Sequence, residues 1–160
     1  MNSIGLLTGS FDPFTLGHAN LVERALALFD RVVIAIGYNE QKHGWLPVTE
    51  RVSALLQFYA AEPRIQVTSY QTLTADLARQ LGPAVLIRGV RNEADFRYEH
   101  DMAEVNRRLA GIETILLTAQ PELACLSSSV VRELAHFGQD ITPFLPAGLT
   151  YPSLAQKKSE

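Results

Sequence analysis

The chain reads as an α/β protein, a Rossmann-like doubly wound sheet of about five parallel strands with helices on both faces. Three observations carry that reading. Short apolar runs rich in β-branched residues alternate with longer amphipathic stretches along the chain. The first such run, Ile4 to Leu7, passes through the glycine-containing turn Thr8 to Leu16 directly into a helix pattern. Polar clusters recur where strands should end or helices begin, the edge at which open parallel sheets hold ligands.

Ile4 to Thr8 is the first expected strand and Val32 to Tyr38 the second. Between them Leu21, Val22, Ala25, Leu26 and Phe29 recur at helical spacing, so Ala19 to Phe29 should lay one face on the sheet in a right-handed βαβ unit. After the polar loop Asn39 to Pro47, a helix starts near Thr49 and Glu50, with Val52, Leu55, Leu56 and Tyr59 as its apolar face. Ile65 to Ser69 makes a third strand. A short helix over Thr74 to Leu81 stops at Gly82-Pro83, and Ala84 to Ile87 forms a fourth strand that ends on Arg88. In a helix from Asp95 to Leu109 the residues Tyr98, Met102, Val105 and Leu109 share a face, which reads as core. Glu113 to Thr118 is the fifth strand. Ser127, Ser128 and Ser129 open a helix to about Phe137, Asp140 to Pro146 is a Pro-containing loop, and residues 147–160 form a weak helix and charged tail.

With 160 residues, 47% of them hydrophobic, the chain supports one well-buried core, so a single domain over 1–160 is expected. A net charge of −3 gives no global field for nucleic acid or anionic membrane. The N-terminus lacks the pattern of a signal peptide and no apolar run is long enough to span a bilayer, so a cytoplasmic protein is expected. The single cysteine, Cys125, fits a reducing compartment and reads as a small packed hydrophobe. His43, His100 and His136 show no metal-ligand spacing.

The chemistry gathers at Ser10 to His18, Lys42, Arg88 to Arg91, and Ser127 to Arg132. A strand, a turn and a helix N-terminus in sequence present free N–H groups and the positive end of a helix dipole, and His18 in the first helical turn can reach an anion held there. One His, one Lys, two Arg, several hydroxyls and two helix starts suit several phosphates, with no protein metal site. The P-loop, the dinucleotide fingerprint and the serine nucleophile elbow are all absent, which counts against kinases, dehydrogenases and hydrolases of those types.

Thr15-Leu16-Gly17-His18 resembles the Thr/His-x-Gly-His signature of the nucleotidyltransferase superfamily, and Leu126-Ser127-Ser128-Ser129-Val130-Val131-Arg132 resembles its second signature, Ile-Ser-Ser-Thr/Ser-x-x-Arg. Gly9 to Pro13, Lys42, Ile87 to Arg91 and Asp95 to Glu99 are similar to the phosphopantetheine adenylyltransferase family within it. The resemblance implies transfer of an adenylyl group from ATP to 4′-phosphopantetheine, giving dephospho-coenzyme A and pyrophosphate, by a cytoplasmic, Mg²⁺-dependent homohexamer. It implies an ATP site of Ser10, Phe11, His18, Gly89, Val90, Arg91, Glu99 and the loop Leu123, Ala124, Cys125, Leu126, Ser127, Ser128 and Ser129. It implies that Ser10, Lys42, Thr74 and Arg88 face the phosphopantetheine, with its arm near Leu73, Met102, Val105 and Asn106. The chain departs from the family pattern at Thr8, in the loop His43 to Pro47, and in lacking an aromatic residue before the serine triplet.

On this reading the acceptor phosphate is itself the nucleophile, largely dianionic near neutral pH, and no protein base is needed. His18, as imidazolium or N–H donor, acts with Ser10 and Lys42 on the transferring phosphoryl group; Arg91 and the serine helix start hold the leaving phosphates; Mg²⁺ travels with the nucleotide. Transfer to nicotinamide mononucleotide, or use of a cytidylyl donor, is compatible with the Thr-x-Gly-His element, and the Arg88 to Glu99 segment argues against both. A catalytically silent nucleotide-binding regulator would not need Ser10, His18, Lys42 and Arg91 together.

Overall fold

The computed structural model describes residues 3–41, 43–82 and 84–156. Five parallel strands, β1 (Ile4–Gly9), β2 (Arg31–Gly37), β3 (Ile65–Tyr70), β4 (Ala84–Val90) and β5 (Thr114–Thr118), lie in the order β3-β2-β1-β4-β5. The helices are α1 (Leu16–Leu28), α2 (Val48–Phe58), α3 (Thr74–Leu81), α4 (Glu93–Ala110), α5 (Ser128–His136) and α6 (Pro152–Gln156). The expected doubly wound sheet is therefore present, with each expected strand within a few residues of its place. β4 alone runs well past its expected end, to Val90, because Leu117 and Thr118 of β5 continue to pair with Gly89 and Val90.

Alternate strand residues face opposite sides, so the sheet carries two cores. Leu7, Ile34 and Ile87 stand in register across β1, β2 and β4 and pack with Val22 and Ala25 of α1 and Ala54 and Leu55 of α2. Leu6, Val33, Ala35 and Leu86 form the other core with Leu77 and Ala78 of α3 and Ile112. Truncating a fully buried leucine such as Leu6 would cost about 2–5 kcal/mol, a large part of a domain's net stability.

Two helices depart from expectation, α2 in part and α4 outright. On α2, Val52, Leu55 and Tyr59 pack on the first core as expected, but Leu56 is exposed, and the most deeply buried positions are Arg51, Ala54 and Leu55. These keep helical spacing, but a charged residue at the first position hid the stripe from an apolar pattern. On α4 the apolar face Tyr98, Met102, Val105 and Leu109 is between 37% and 62% exposed and is not core; Tyr98 and Met102 edge a cavity, and Val105 and Leu109 face outward. The inward stripe is Asp95, Glu99, Ala103, Asn106 and Ala110; the first four, small or polar, border cavities, and only Ala110 packs against the second core.

The chain after α5 is more firmly tied than a weak helix suggests. Leu149 and Tyr151 are buried in the first core, and Ser153 donates its N–H and hydroxyl to Glu50 at 2.9 and 2.8 Å.

β1 and β4 pair only as far as Leu7 and Ile87, while β1 continues with β2 to Gly9–Ile36 and β4 with β5 to Val90–Thr118. The two central strands thus part at their carboxyl ends, at the point where strand order reverses. A crevice opens there.

Candidate active site

The crevice holds a cavity of about 300 Å³ bounded by the end of β1, the start of α1, the end of β4 and the start of α5. Thr15 is the N-cap of α1 in an extended conformation, and its own N–H donates to His18 Nδ1 at 3.0 Å. That bond makes Nδ1 an acceptor, so a neutral ring carries its proton on Nε2. The half-buried ring lies edge-on to Phe11 with centroids 5.0 Å apart and 5.4 Å from that of Phe14. Burial first, then the Arg88 and Arg91 guanidiniums, hold the imidazole pKa down at about 4. Of the two protonation states expected for His18, the neutral N–H donor is the one this site stabilises, and the imidazolium is disfavoured.

Arg88, at the end of β4, makes a fork-to-fork pair with Glu99 of α4, Nε and Nη2 each 2.7 Å from a carboxylate oxygen. Arg88 is 29% and Glu99 10% exposed, so the pair is well shielded. Desolvation alone would lower the Arg88 pKa, but hydrogen bonding and charge from Glu99, with smaller contributions from Tyr70 and Tyr98, raise it on balance. Arg88, Glu99, Thr8, Gly9 and Ser10 also wall a second cavity, about 270 Å³, which reaches Tyr70, Thr74, Met102 and Asn106. Two cavities therefore meet across a wall built by one ion pair and one glycine turn. Arg91 faces the first cavity and is paired with Asp95 at 2.8 Å.

The hydroxyls of the three serines at the start of α5 are all engaged by the protein itself. Ser127 Oγ accepts from the Val130 N–H at 3.1 Å, Ser128 Oγ donates to the Pro13 carbonyl at 2.8 Å, and Ser129 Oγ accepts from Arg132 at 3.0 Å. Ser127 thus caps the helix and Ser128 ties it to the α1 corner, while Ser129 steadies Arg132 from within the helix. Ser127 and Ser128 still border the cavity, so an anion there would meet backbone N–H groups.

Of the residues expected to hold nucleotide, Ser10, Phe11, His18, Gly89, Val90, Arg91 and Glu99 line the first cavity, as do Leu123, Leu126, Ser127 and Ser128. Ala124, Cys125 and Ser129 do not. Cys125 is exposed rather than packed, because its neighbour Leu126 takes the inward position against Val131 and Ile141. Among the acceptor-side residues, Ser10, Thr74 and Arg88 line the second cavity with Met102 and Asn106, whereas Leu73 and Val105 are exposed and do not. Thr74 shares a hydrogen bond of 3.0 Å with the Tyr70 hydroxyl. Lys42 lies outside the described residues.

Sequence reasoning passed over several residues. Asn20 and Gln120 join side chains at 3.1 Å on the rim of the first cavity, and Arg24 holds the Thr118 carbonyl at 2.6 Å. Nothing in their local pattern marked them. Asp12, Arg51 and Arg132 stand behind the Ser10 turn; Asp12 and Arg132 lie in segments that the sequence marks, whereas nothing in its local pattern marked Arg51.

Among known proteins, the cytidylyltransferase-like family model matches residues 6–134. The phosphopantetheine adenylyltransferase of Bacteroides fragilis is 50% identical over 144 residues, 90% of this chain and 96% of the relative. That of Porphyromonas gingivalis is 50% identical over 146 residues, covering 91% and 95%. That of Streptococcus suis is 46% identical over 147 residues, covering 91% of each. A solved structure from Vibrio parahaemolyticus, assigned as a nicotinate-nucleotide adenylyltransferase, superposes with a TM-score of 0.66 at 17% identity over 98% of this chain and 91% of that one, a likeness of fold.

Proposed function

The chain belongs to the cytidylyltransferase-like family and, within it, to the phosphopantetheine adenylyltransferases, and on that premise we infer that it transfers the adenylyl group of ATP to 4′-phosphopantetheine in coenzyme A synthesis. The observation that carries the reading is the pair of adjoining cavities that share Thr8, Gly9, Ser10, Arg88 and Glu99. Two anionic substrates can be held on either side of one wall with their reacting phosphates adjacent.

ATP occupies the first cavity and the acceptor the second. An oxygen of the acceptor phosphate attacks the α-phosphorus; that P–O bond forms as the α–β bridge breaks, and pyrophosphate leaves with the electron pair. The acceptor is already largely a dianion near neutral pH, so the protein's work is alignment and charge stabilisation rather than proton removal. His18 donates Nε2–H to the transferring phosphoryl group, Ser10 adds a hydroxyl and Lys42 a charge. Arg91 and the first N–H groups of α5 receive the β and γ phosphates. Arg88 and Thr74 face the acceptor.

Mg²⁺ arrives on the nucleotide. Among the described residues no three His, Cys, Asp or Glu side chains cluster as a metal site, and the carboxylates beside the phosphates, Asp95 and Glu99, are each engaged by an arginine. A cytoplasmic homohexamer is the form we propose, supported by the apolar stripe that α4 exposes and that an assembly would cover. Sedimentation of the purified chain tests the assembly.

Pyrophosphate release from ATP and Mg²⁺ tests the reaction, with phosphopantetheine and nicotinamide mononucleotide as parallel acceptors. Turnover with phosphopantetheine alone is the expected result. Tight ATP binding without turnover on either would sink it in favour of a nucleotide-binding regulator.

A further inference from the structure

Three arginines from three separate elements hold alternate carbonyls of one short segment. Arg88 of β4 donates to the Thr8 carbonyl and, at 3.1 Å, to the Thr8 hydroxyl; Arg51 of α2 donates to the Ser10 carbonyl at 2.6 Å; Arg132 of α5 donates to the Asp12 carbonyl at 2.6 Å. Between the last two lies Phe11, whose φ of +47° is left-handed. A bulky side chain persists in that conformation only where its surroundings over-determine it. The Asp12 carboxylate completes the frame, accepting the N–H groups of Trp45 at 2.7 Å and Leu46 at 2.8 Å, while Arg51 Nε returns to the Leu46 carbonyl at 3.1 Å.

Arg51 is 5% exposed and makes no salt bridge among the described residues. A buried guanidinium that donates to no carboxylate is costly to keep for packing alone, since an apolar side chain would fill the space without the desolvation penalty. Its donors go instead to two loop carbonyls, and one of those belongs to Ser10, which lines both cavities.

We propose that Arg51 and Arg132 are positioning residues for the transfer step. They act through the backbone, holding the carbonyls on either side of Phe11 so that the strained turn keeps Ser10 in place against the Thr15–His18 corner. Their charges also set a positive potential behind the segment that faces the phosphates. This rests on the adenylyl-transfer reading of the site.

The test compares Arg51→Met, Arg51→Lys and Arg132→Met with the unaltered chain in kcat, both KM values and the urea midpoint. Positioning predicts kcat per folded molecule down by about 10²-fold, with the KM for ATP changed by less than about threefold. Arg51→Lys keeps the charge without the planar fork and should recover only part of the loss. A merely structural role lowers the urea midpoint and leaves kcat per folded molecule unchanged, and that result overturns the proposal. If Arg51→Met does not fold, Arg132→Met, at a partly exposed position, decides the matter alone. Absence of turnover in the unaltered chain would instead defeat the adenylyl-transfer reading. The clamp is then judged by hydrogen exchange at the amides of Ser10 to Asp12, expected to quicken in Arg132→Met while the strands stay protected; unchanged local exchange counts against it.

Discussion

His18 Nδ1 accepts the backbone N–H of Thr15 at 3.0 Å, and this one bond decides which ring nitrogen can donate to a substrate. The same geometry caps α1, so the first turn of the helix and the orientation of the imidazole are set together. Removing the ring, in His18→Ala, should lower kcat by at least about 10²–10³-fold with the fold retained, as measured by pyrophosphate release and circular dichroism.

The depressed pKa of His18 makes a separate forecast. With a folded value of about 4 against the ordinary imidazole value of 6.5, the unfolded chain takes up this proton first as pH falls. Stability linked to His18 is thus fully present above pH 6.5 and declines toward pH 4, by up to about 3 kcal/mol. Urea titrations of the unaltered chain and His18→Gln across that window should diverge, the variant losing less. Activity limited by the acceptor phosphate should instead fall near its own pKa of about 6. Nitrogen chemical shifts of the ring in the free protein should show no protonation at pH 6.

Glu99→Gln should cost about 1–3 kcal/mol in urea unfolding, because it leaves the shielded Arg88 guanidinium without a countercharge. Glu93→Gln removes the partner of Arg97 in a pair 77% and 80% exposed and should cost less than about 0.5 kcal/mol. Equal losses would mean that the crevice wall is no better shielded than the surface.

Ser127→Ala removes a helix cap and should cost about 1 kcal/mol, a fall of about 2–4 °C in Tm, with the KM for ATP changed by less than threefold. A large rise in that KM with unchanged Tm would place the Ser127 hydroxyl on phosphate instead of on the Val130 N–H.

Gly89 borders the first cavity, and a Cβ there would lie 2.5 Å from Leu21 Cδ1. Leu21 also lines that cavity, so Gly89→Ala should displace it toward the nucleotide. The expected outcome is a raised KM for ATP, with little change in the KM for the acceptor.

Much of the fold was legible because it rests on local rules. Ile4 to Leu7 and Val32 to Ile36 are apolar runs that only a doubly covered strand accommodates, and α1 shows a regular inward stripe. The failures have a common origin. Arg51 is buried though it is charged, and Tyr98, Met102, Val105 and Leu109 are exposed though they are apolar. In both helices the orientation answers to a cavity or to loop carbonyls far away in sequence, which hydrophobic periodicity does not register.

The sequence by itself determined the order of strands and helices along the chain, the glycine turn before α1, and the two motifs whose residues meet at the first cavity. These depend on side-chain pattern and on turn and capping preferences, which act over a few residues. Only the tertiary structure decided that His18 is held neutral with its proton on Nε2, that the serines of α5 cap and clamp, and that arginines from β4, α2 and α5 converge on the carbonyls of Thr8, Ser10 and Asp12. Each is set by desolvation or by a donor brought from another element, quantities that exist only after the sheet has gathered its carboxyl ends along one edge.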